Sequence, residues 1–331
     1  MTSASDARTA ATQFRESYAR IKDAVQSVIV GQDETLHGTL TALFAGGHAL
    51  LEGVPGIGKT ALVKALGSAL DLSMSRIQFT PDLMPTDVVG TMVLDDEGGR
   101  RTLRHQKGPI HANLVLADEI NRATPKTQAA LLEAMQELQV TTGGETRPLP
   151  KPFAVLATQN PVEQEGTYPL PEAQLDRFLF KLVVGYPREE EYDAILNRTT
   201  GTALPTVPKV ADVATLLAMR DTVREIPVPD AARQAAIRLV MATQPGSPYA
   251  GPLVNRHVAL GASPRGAQAL VLAAKVTALR DGRHAASTDD VLAWAKPALR
   301  HRVLLRFSAA AEGVTPDVAV EEAIASVSAL R

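Results

Sequence analysis

Residues Gly53-Val54-Pro55-Gly56-Ile57-Gly58-Lys59-Thr60 carry the spacing G-x-x-x-x-G-K-[ST]. Glycines and a proline let a backbone curl until successive N–H groups point inward at a chain of phosphates. A lysine where Lys59 stands reaches the β- and γ-phosphates, and the Thr60 hydroxyl is placed to ligate Mg²⁺. With Ala61, these residues form a candidate site for a nucleoside triphosphate. The pattern needs a strand before it and a helix after it, because the helix N-terminus adds its dipole to anion binding. His48 to Glu52 is a short apolar run suited to a buried strand, and Ala61 to Leu70 is rich in helix formers.

Leu114-Val115-Leu116-Ala117-Asp118-Glu119 places two adjacent carboxylates at the end of an apolar strand. The carboxyl edge of a parallel sheet is where α/β folds bind ligands. Neighbouring side chains on an extended chain point apart, so one carboxylate can serve Mg²⁺ through water while the next polarises an attacking water. Asp118 takes the first role and Glu119 the second.

Val155 to Asn160 is another apolar run with a polar tip, followed by Pro161. An Asn amide both donates and accepts, so Asn160 could hold a γ-phosphate and a water together. Asn-Pro is equally a turn signal, and the residues alone leave both readings open. Arg177 follows Asp176, and a local salt bridge is its simplest reading. Arg265 lies in Gly261-Ala262-Ser263-Pro264-Arg265, where Ser263 reads as an N-cap and Pro264 as the first helical residue. A cation in a first turn opposes the helix dipole, which favours a ligand-facing role.

Strand runs at His48–Glu52, 76–79, 113–117, 153–157 and 180–184 are mostly separated by helical stretches. This predicts an α/β fold with a parallel sheet covered on both faces. Helical spacing also runs through Tyr18, Ile21, Val25 and Val28 over 14–29, and resumes over 33–44. Two hairpins are expected: 88–94 with 101–105 around Asp95–Gly99, and 138–142 with 145–149 around Gly143-Gly144. After Pro187 only helical periods occur, with Trp294 as core on a helix over 288–299. The expected division is an N-terminal helical segment at 1–28, an α/β core at 29–187 and an all-helical lid at 188–331.

The chain has 331 residues, is 45% apolar and 21% charged, and carries a net charge of −2. That composition is globular. The charge points to neither nucleic acid nor an anionic membrane as partner. There is no cysteine, hence no disulfide and no thiolate metal site. The first 20 residues lack an apolar core of signal-peptide length, and no apolar run approaches a bilayer span. A cytoplasmic protein without membrane insertion is expected.

Arg76-Ile-Gln-Phe-Thr-Pro-Asp-Leu-Met-Pro-Thr-Asp-Val88, Leu116-Ala-Asp-Glu-Ile-Asn-Arg-Ala123, Leu131-Leu-Glu-Ala-Met-Gln-Glu137, Ala157-Thr-Gln-Asn-Pro161, Leu175-Asp-Arg-Phe178 and Gly261-Ala-Ser-Pro-Arg265 together resemble the MoxR family of AAA+ ATPases, from about Ile29 to Leu305. The resemblance implies a P-loop core with a five-stranded parallel sheet and a helical lid. ATP would sit between core and lid and between subunits of a ring, usually a hexamer. It casts Lys59 and Thr60 as Walker A residues, Asp118 and Glu119 as the Walker B pair and Asn160 as sensor 1. Arg177 becomes an arginine finger acting on the adjacent subunit, Arg265 the sensor 2 of the lid, and Gly31 and Gln32 the segment near the adenine. The hairpins would face the ring pore and work on client proteins. The implied activity is Mg²⁺-dependent ATP hydrolysis driving chaperone-like remodelling, activation or cofactor maturation of clients, with a separate von Willebrand A-domain protein as partner. His111 departs from the family, which more often has Phe there.

Two other functions belong to neighbouring groups: a nucleic-acid motor and a metal-chelatase-type subunit. The acidic balance and an aromatic content of only 4% weigh against the motor. The Ala-Asp-Glu-Ile-Asn-Arg and Thr-Gln-Asn-Pro wording fits MoxR better than a chelatase.

Overall fold

The computed structural model describes residues 4–97, 100–161, 166–201 and 205–329. Helix α1 (Ala4–Gln26) and α2 (Asp33–Ala45) precede β1 (Ala49–Glu52), α3 (Lys59–Ala69) and β2 (Met74–Gln78). Then come α4 (Pro85–Val89), β3 (Gly90–Glu97), β4 (Arg100–Lys107), β5 (Leu114–Asp118) and α5 (Pro125–Glu137). A second hairpin, β6 (Gln139–Thr142) and β7 (Glu145–Pro148), leads to β8 (Ala154–Gln159), α6 (Glu172–Leu175) and β9 (Phe180–Val183). The rest is mainly helical: α7 (Glu189–Thr199), α8 (Val213–Glu225), α9 (Asp230–Ala242), α10 (Pro252–His257), α11 (Pro264–Arg280), α12 (Thr288–Ala293), α13 (Ala295–Leu299), α14 (Phe307–Ala311) and α15 (Pro316–Ser328). A short ribbon pairs β10 (Val258–Leu260) with β11 (Leu304–Leu305).

Five strands form one parallel sheet in the order β2-β5-β8-β1-β9. Alternate residues feed opposite faces. Leu114, Leu116, Ala154 and Leu156 join one buried cluster with α1, α2, α3 and the C-terminal helices. Val115, Ala117, Val155 and Ala157 join another with α4, α5 and the β6 hairpin. Both faces are therefore dry, as parallel strands joined by helical crossovers require. All strand tips with polar residues, Glu52, Asp118 and Gln159 among them, emerge at the carboxyl edge.

The expected strands and both hairpins are present, displaced by up to three residues at their ends. The Gly98-Gly99 turn of the first hairpin lies outside the described residues. Three expectations change. The first helix starts ten residues earlier than the apolar spacing suggested, at Ala4, and stops at Gln26. The helix around Trp294 is two helices, broken at Trp294 itself (φ −94°, ψ 4°), so that the indole can donate to Thr277 Oγ1 at 2.8 Å and stack on Phe180. The C-terminal region contains the β10–β11 ribbon as well as helices. Strands of two and three residues are too short to leave a period in the sequence, and their pairing is non-local.

Candidate active site

The loop after β1 is shaped by two glycine positions. A Cβ on Gly53 would lie 2.7 Å from the Val184 carbonyl oxygen, so only glycine lets β1 leave the sheet here. Gly58 holds φ 86°, a left-handed N-cap that opens α3 toward the loop. Pro55, Gly56, Gly58, Lys59, Thr60 and Ala61 then line a cavity of about 370 Å³. Its other wall is built from the tips of β5 and β8: Asp118, Glu119, Thr158 and Asn160. Ile57 instead turns its side chain into the core, and Gly53 and Val54 contribute backbone. The Lys59 ammonium donates to the carbonyl oxygens of Gly53 and Val54, the latter at 3.0 Å. Burial pushes its pKa below the ordinary lysine value, opposed by the charges of Asp118, Glu119 and Glu52.

The two carboxylates are separately oriented, as expected of neighbours at a strand end. Asp118 ends β5 in extended geometry, while Glu119 takes the left-handed conformation, φ 56°. Arg76 donates to Asp118 Oδ2 through Nε (3.0 Å) and Nη2 (2.7 Å), and Thr158 Oγ1 donates to Asp118 Oδ1 at 2.6 Å. Glu119 N–H donates to Thr158 Oγ1 at 2.9 Å. Its side chain accepts from Gln78 Nε2 at 2.8 Å and faces Arg122 Nε at 3.2 Å. Asn160 is buried at the tip of β8 on the same cavity wall.

Arg76, Gln78 and Thr158 bond to these carboxylates, and the sequence reading does not single them out. Arg76 and Gln78 sit two apart on β2 and so share a face, with Gln78 opposite Asp118 in register. Two long polar side chains on one face of β2 were the available signal.

No cluster of three or more His, Asp or Glu able to cage a metal occurs among the described residues. Mg²⁺ needs none, because it keeps several waters and takes one or two carboxylates together with substrate phosphates. The Thr60 hydroxyl and Asp118 carboxylate on one cavity fit an ion held in that way. Both Asp118 oxygens already accept hydrogen bonds, which suits contact through water.

Gly31 and Gln32 lie beside this cavity rather than in its lining. Gln32 (φ 55°) donates its side-chain amide to the Ile57 carbonyl, tying the start of α2 to the phosphate loop. The Glu191 carboxylate of α7 packs against Gly31.

Arg177 and Arg265 are elsewhere. Both line a second cavity, of about 180 Å³, with Gly47 and His48. His48 precedes β1 and Gly53 follows it, so the two cavities lie at opposite ends of that strand, roughly 16 Å apart. Within one chain Arg265 therefore does not reach the phosphate loop, contrary to a site closed between core and lid. The reason is how the lid docks. Ser263 Oγ donates to Asp176 at 3.0 and 3.2 Å, and Arg302 Nε donates to Asp176 Oδ1 at 2.7 Å. These bonds fasten the start of α11 to the amino edge of the sheet. Ser263 is the N-cap and Pro264 the first helical residue, as expected. The simple reading of Arg177 as a partner of Asp176 is not met: that carboxylate serves Arg302, Ser263 and, at 3.7 Å, Arg265. Among the described residues the Arg177 side chain makes no hydrogen bond or ion pair.

Residues 48–180 match the family model described as ATPase family associated with various cellular activities (AAA), and residues 252–323 match the AAA lid domain. The chain is 43% identical to Chaperone MoxR1 of Mycobacterium tuberculosis, over 92% of this chain and 80% of that protein. It is 42% identical to the uncharacterized protein YeaC of Bacillus subtilis, over 92% of each. A solved structure from Cytophaga hutchinsonii, assigned as an ATPase, superposes with a TM-score of 0.90 at 39% identity, covering 96% of each chain.

Proposed function

The chain belongs to the MoxR family of AAA+ ATPases, and from that premise we propose that it hydrolyses ATP at a pocket shared between neighbouring copies in a ring. Loop N–H groups from Gly56 to Ala61 and the Lys59 ammonium hold the β- and γ-phosphates. Thr60 and Asp118 hold Mg²⁺, which when bound neutralises charge on the phosphate oxygens. Glu119 accepts a proton from the water that attacks the γ-phosphorus, as the bond to the β–γ bridging oxygen breaks. Asn160 orients that water. Arg177 and Arg265 act on the ATP of the neighbouring copy, where a fixed cation stabilises charge on the transferring phosphoryl group.

One observation carries this reading. Phosphate loop, carboxylates and Asn160 line one cavity, while Arg177, without a partner among the described residues, stands at the opposite edge of the same sheet. A cation so far from its own phosphate loop suits a second copy's site.

The domains follow the same division: 1–28 as an N-terminal helical segment, 29–187 as the ATPase core and 188–331 as the lid. Turnover would drive chaperone-like remodelling, activation or cofactor maturation of client proteins in the cytoplasm, with a separate von Willebrand A-domain protein as partner. The β3–β4 hairpin supports client contact. Its cross-strand pair Leu94 and Leu103 is exposed at 60% and 69%. Met92 of that hairpin packs on Gly143 of the next.

The direct test is steady-state ATP turnover of the Glu119→Gln variant in the presence of Mg²⁺. Turnover should fall at least a hundredfold with nucleotide affinity kept. Unchanged turnover would remove the catalytic assignment.

A further inference from the structure

Every N–H donor of the Arg302 guanidinium is engaged, and four of the five bonds go to the residues flanking Arg177. Nε donates to Asp176 Oδ1 at 2.7 Å, and Nη2 donates to the carbonyl oxygens of Asp176 (3.2 Å) and Phe178 (2.8 Å). Nη1 donates to the Leu179 carbonyl at 3.1 Å and to that of Ala298. None goes to Arg177 itself. The Arg302 side chain is 3% exposed, so its charge depends on these partners. The preceding residue adds to the clamp, since His301 Nε2 contacts the Phe178 carbonyl at 3.1 Å.

We propose that Arg302 is the positioning residue for Arg177: the segment after α13 fixes the backbone on both sides of the arginine from the lid and leaves its side chain free to reach a neighbour. The proposal rests on the shared-pocket reading above and deepens it. Chemistry favours Arg for this task. A planar guanidinium presents five donors in a fixed fork, whereas lysine has three around one point and cannot reach Asp176, Phe178 and Leu179 together. The same Asp176 carboxylate also takes Ser263 and faces Arg265. One carboxylate thus couples Arg265 of the lid to the segment that carries Arg177.

The experiment is subunit mixing with ATP. Arg302→Lys retains its own phosphate loop and carboxylates but presents a misplaced Arg177. Glu119→Gln has a dead pocket of its own but an intact Arg177. Each alone should turn over ATP at least tenfold more slowly than the unaltered protein, with ATP affinity and ring assembly retained. Mixed in equal amounts they should regain turnover, because some pockets then join a working carboxylate to a working arginine. Arg177→Ala mixed with Glu119→Gln is the reference. A residue that merely stabilised its own subunit would give no such recovery. Normal turnover by Arg302→Lys, or recovery with Arg177→Ala but not with Arg302→Lys, overturns the positioning role. Normal turnover by Arg177→Ala overturns the shared-pocket reading and this proposal with it. Should lysine at 302 unfold the chain, Asp176→Asn cuts the clamp at its surface carboxylate and is read in the same assay, with the same two outcomes.

Discussion

Thr158 and Glu119 meet through one hydrogen bond, the Glu119 N–H donating to the Thr158 hydroxyl at 2.9 Å, while that hydroxyl donates onward to Asp118 at 2.6 Å. A single buried oxygen, on a residue 1% exposed, thus ties the Asp118 carboxylate to the backbone of Glu119. It also satisfies the N–H of a residue held in the left-handed region, where a side chain with a Cβ pays steric strain. Thr158→Val keeps the shape and removes the oxygen. The part-buried Glu119 N–H then loses its partner, a loss worth about 1–3 kcal/mol of stability. Turnover should fall roughly 10- to 100-fold as Glu119 and Asp118 lose their orientation. Thr158→Ser should keep most of both. Equal turnover in the Val and Ser variants would show that the hydroxyl does not organise the pair.

The positions of the cations separate binding from turnover. Lys59→Ala removes the one ammonium that lines the phosphate-loop cavity among the described residues, so nucleotide affinity should drop steeply, by tenfold or more, in equilibrium binding. Arg177→Ala should leave that affinity intact and abolish turnover.

Arg265 provides the sharper discrimination. A lid arginine closing over its own ATP would contribute to binding in a dissociated subunit. From the amino edge of the sheet it cannot. Arg265→Ala should bind ATP normally at protein concentrations too low for assembly and lose turnover, like Arg177→Ala, when rings are present. Weakened binding by the isolated subunit would put Arg265 back over its own phosphate loop.

The residues legible in the sequence are those whose chemistry is local. The phosphate loop is eight consecutive residues, and Asp118-Glu119 needs only to end an apolar strand to sit at the carboxyl edge. Thr158 was hidden because its role exists only once β8 pairs with β5, and Arg76 and Gln78 because theirs requires the β2–β5 register. Nothing in the spacing of Ser263 and Arg265 says which edge of the sheet the lid meets. That is settled by Asp176 and Arg302, which lie 126 positions apart in the chain. The α/β alternation was readable for the opposite reason. Each strand and helix is a periodic segment, and periodicity survives without knowledge of partners.

His48, at the foot of β1, links the fold to pH. Its Nδ1 accepts from the Val155 N–H at 3.0 Å, so its Nε2 carries the proton and donates to the Met135 carbonyl at 3.2 Å. A second proton would have to enter at Nδ1, against the Val155 donor. Burial pushes the His48 pKa down to about 4, the Met135 bond works the other way, and Arg220 lowers it further. In the unfolded chain the same imidazole titrates near 6.5. Between pH 6.5 and 4 the unfolded chain binds a proton that the folded chain does not, so stability is full above 6.5 and declines as pH falls toward 4. One such group changes stability by about 1.4 kcal/mol per pH unit in that window. His37, also lowered to about 4 chiefly by burial, and His301, lowered by burial and by Arg302, act in the same direction. Urea unfolding at several pH values should therefore show a stability that drops steeply on acidification. His48→Gln can keep both bonds, through its amide nitrogen and oxygen, yet cannot be protonated in this range. Its stability should decline less steeply, by about 1.4 kcal/mol per pH unit. An unaltered slope would mean that His48 does not carry the effect.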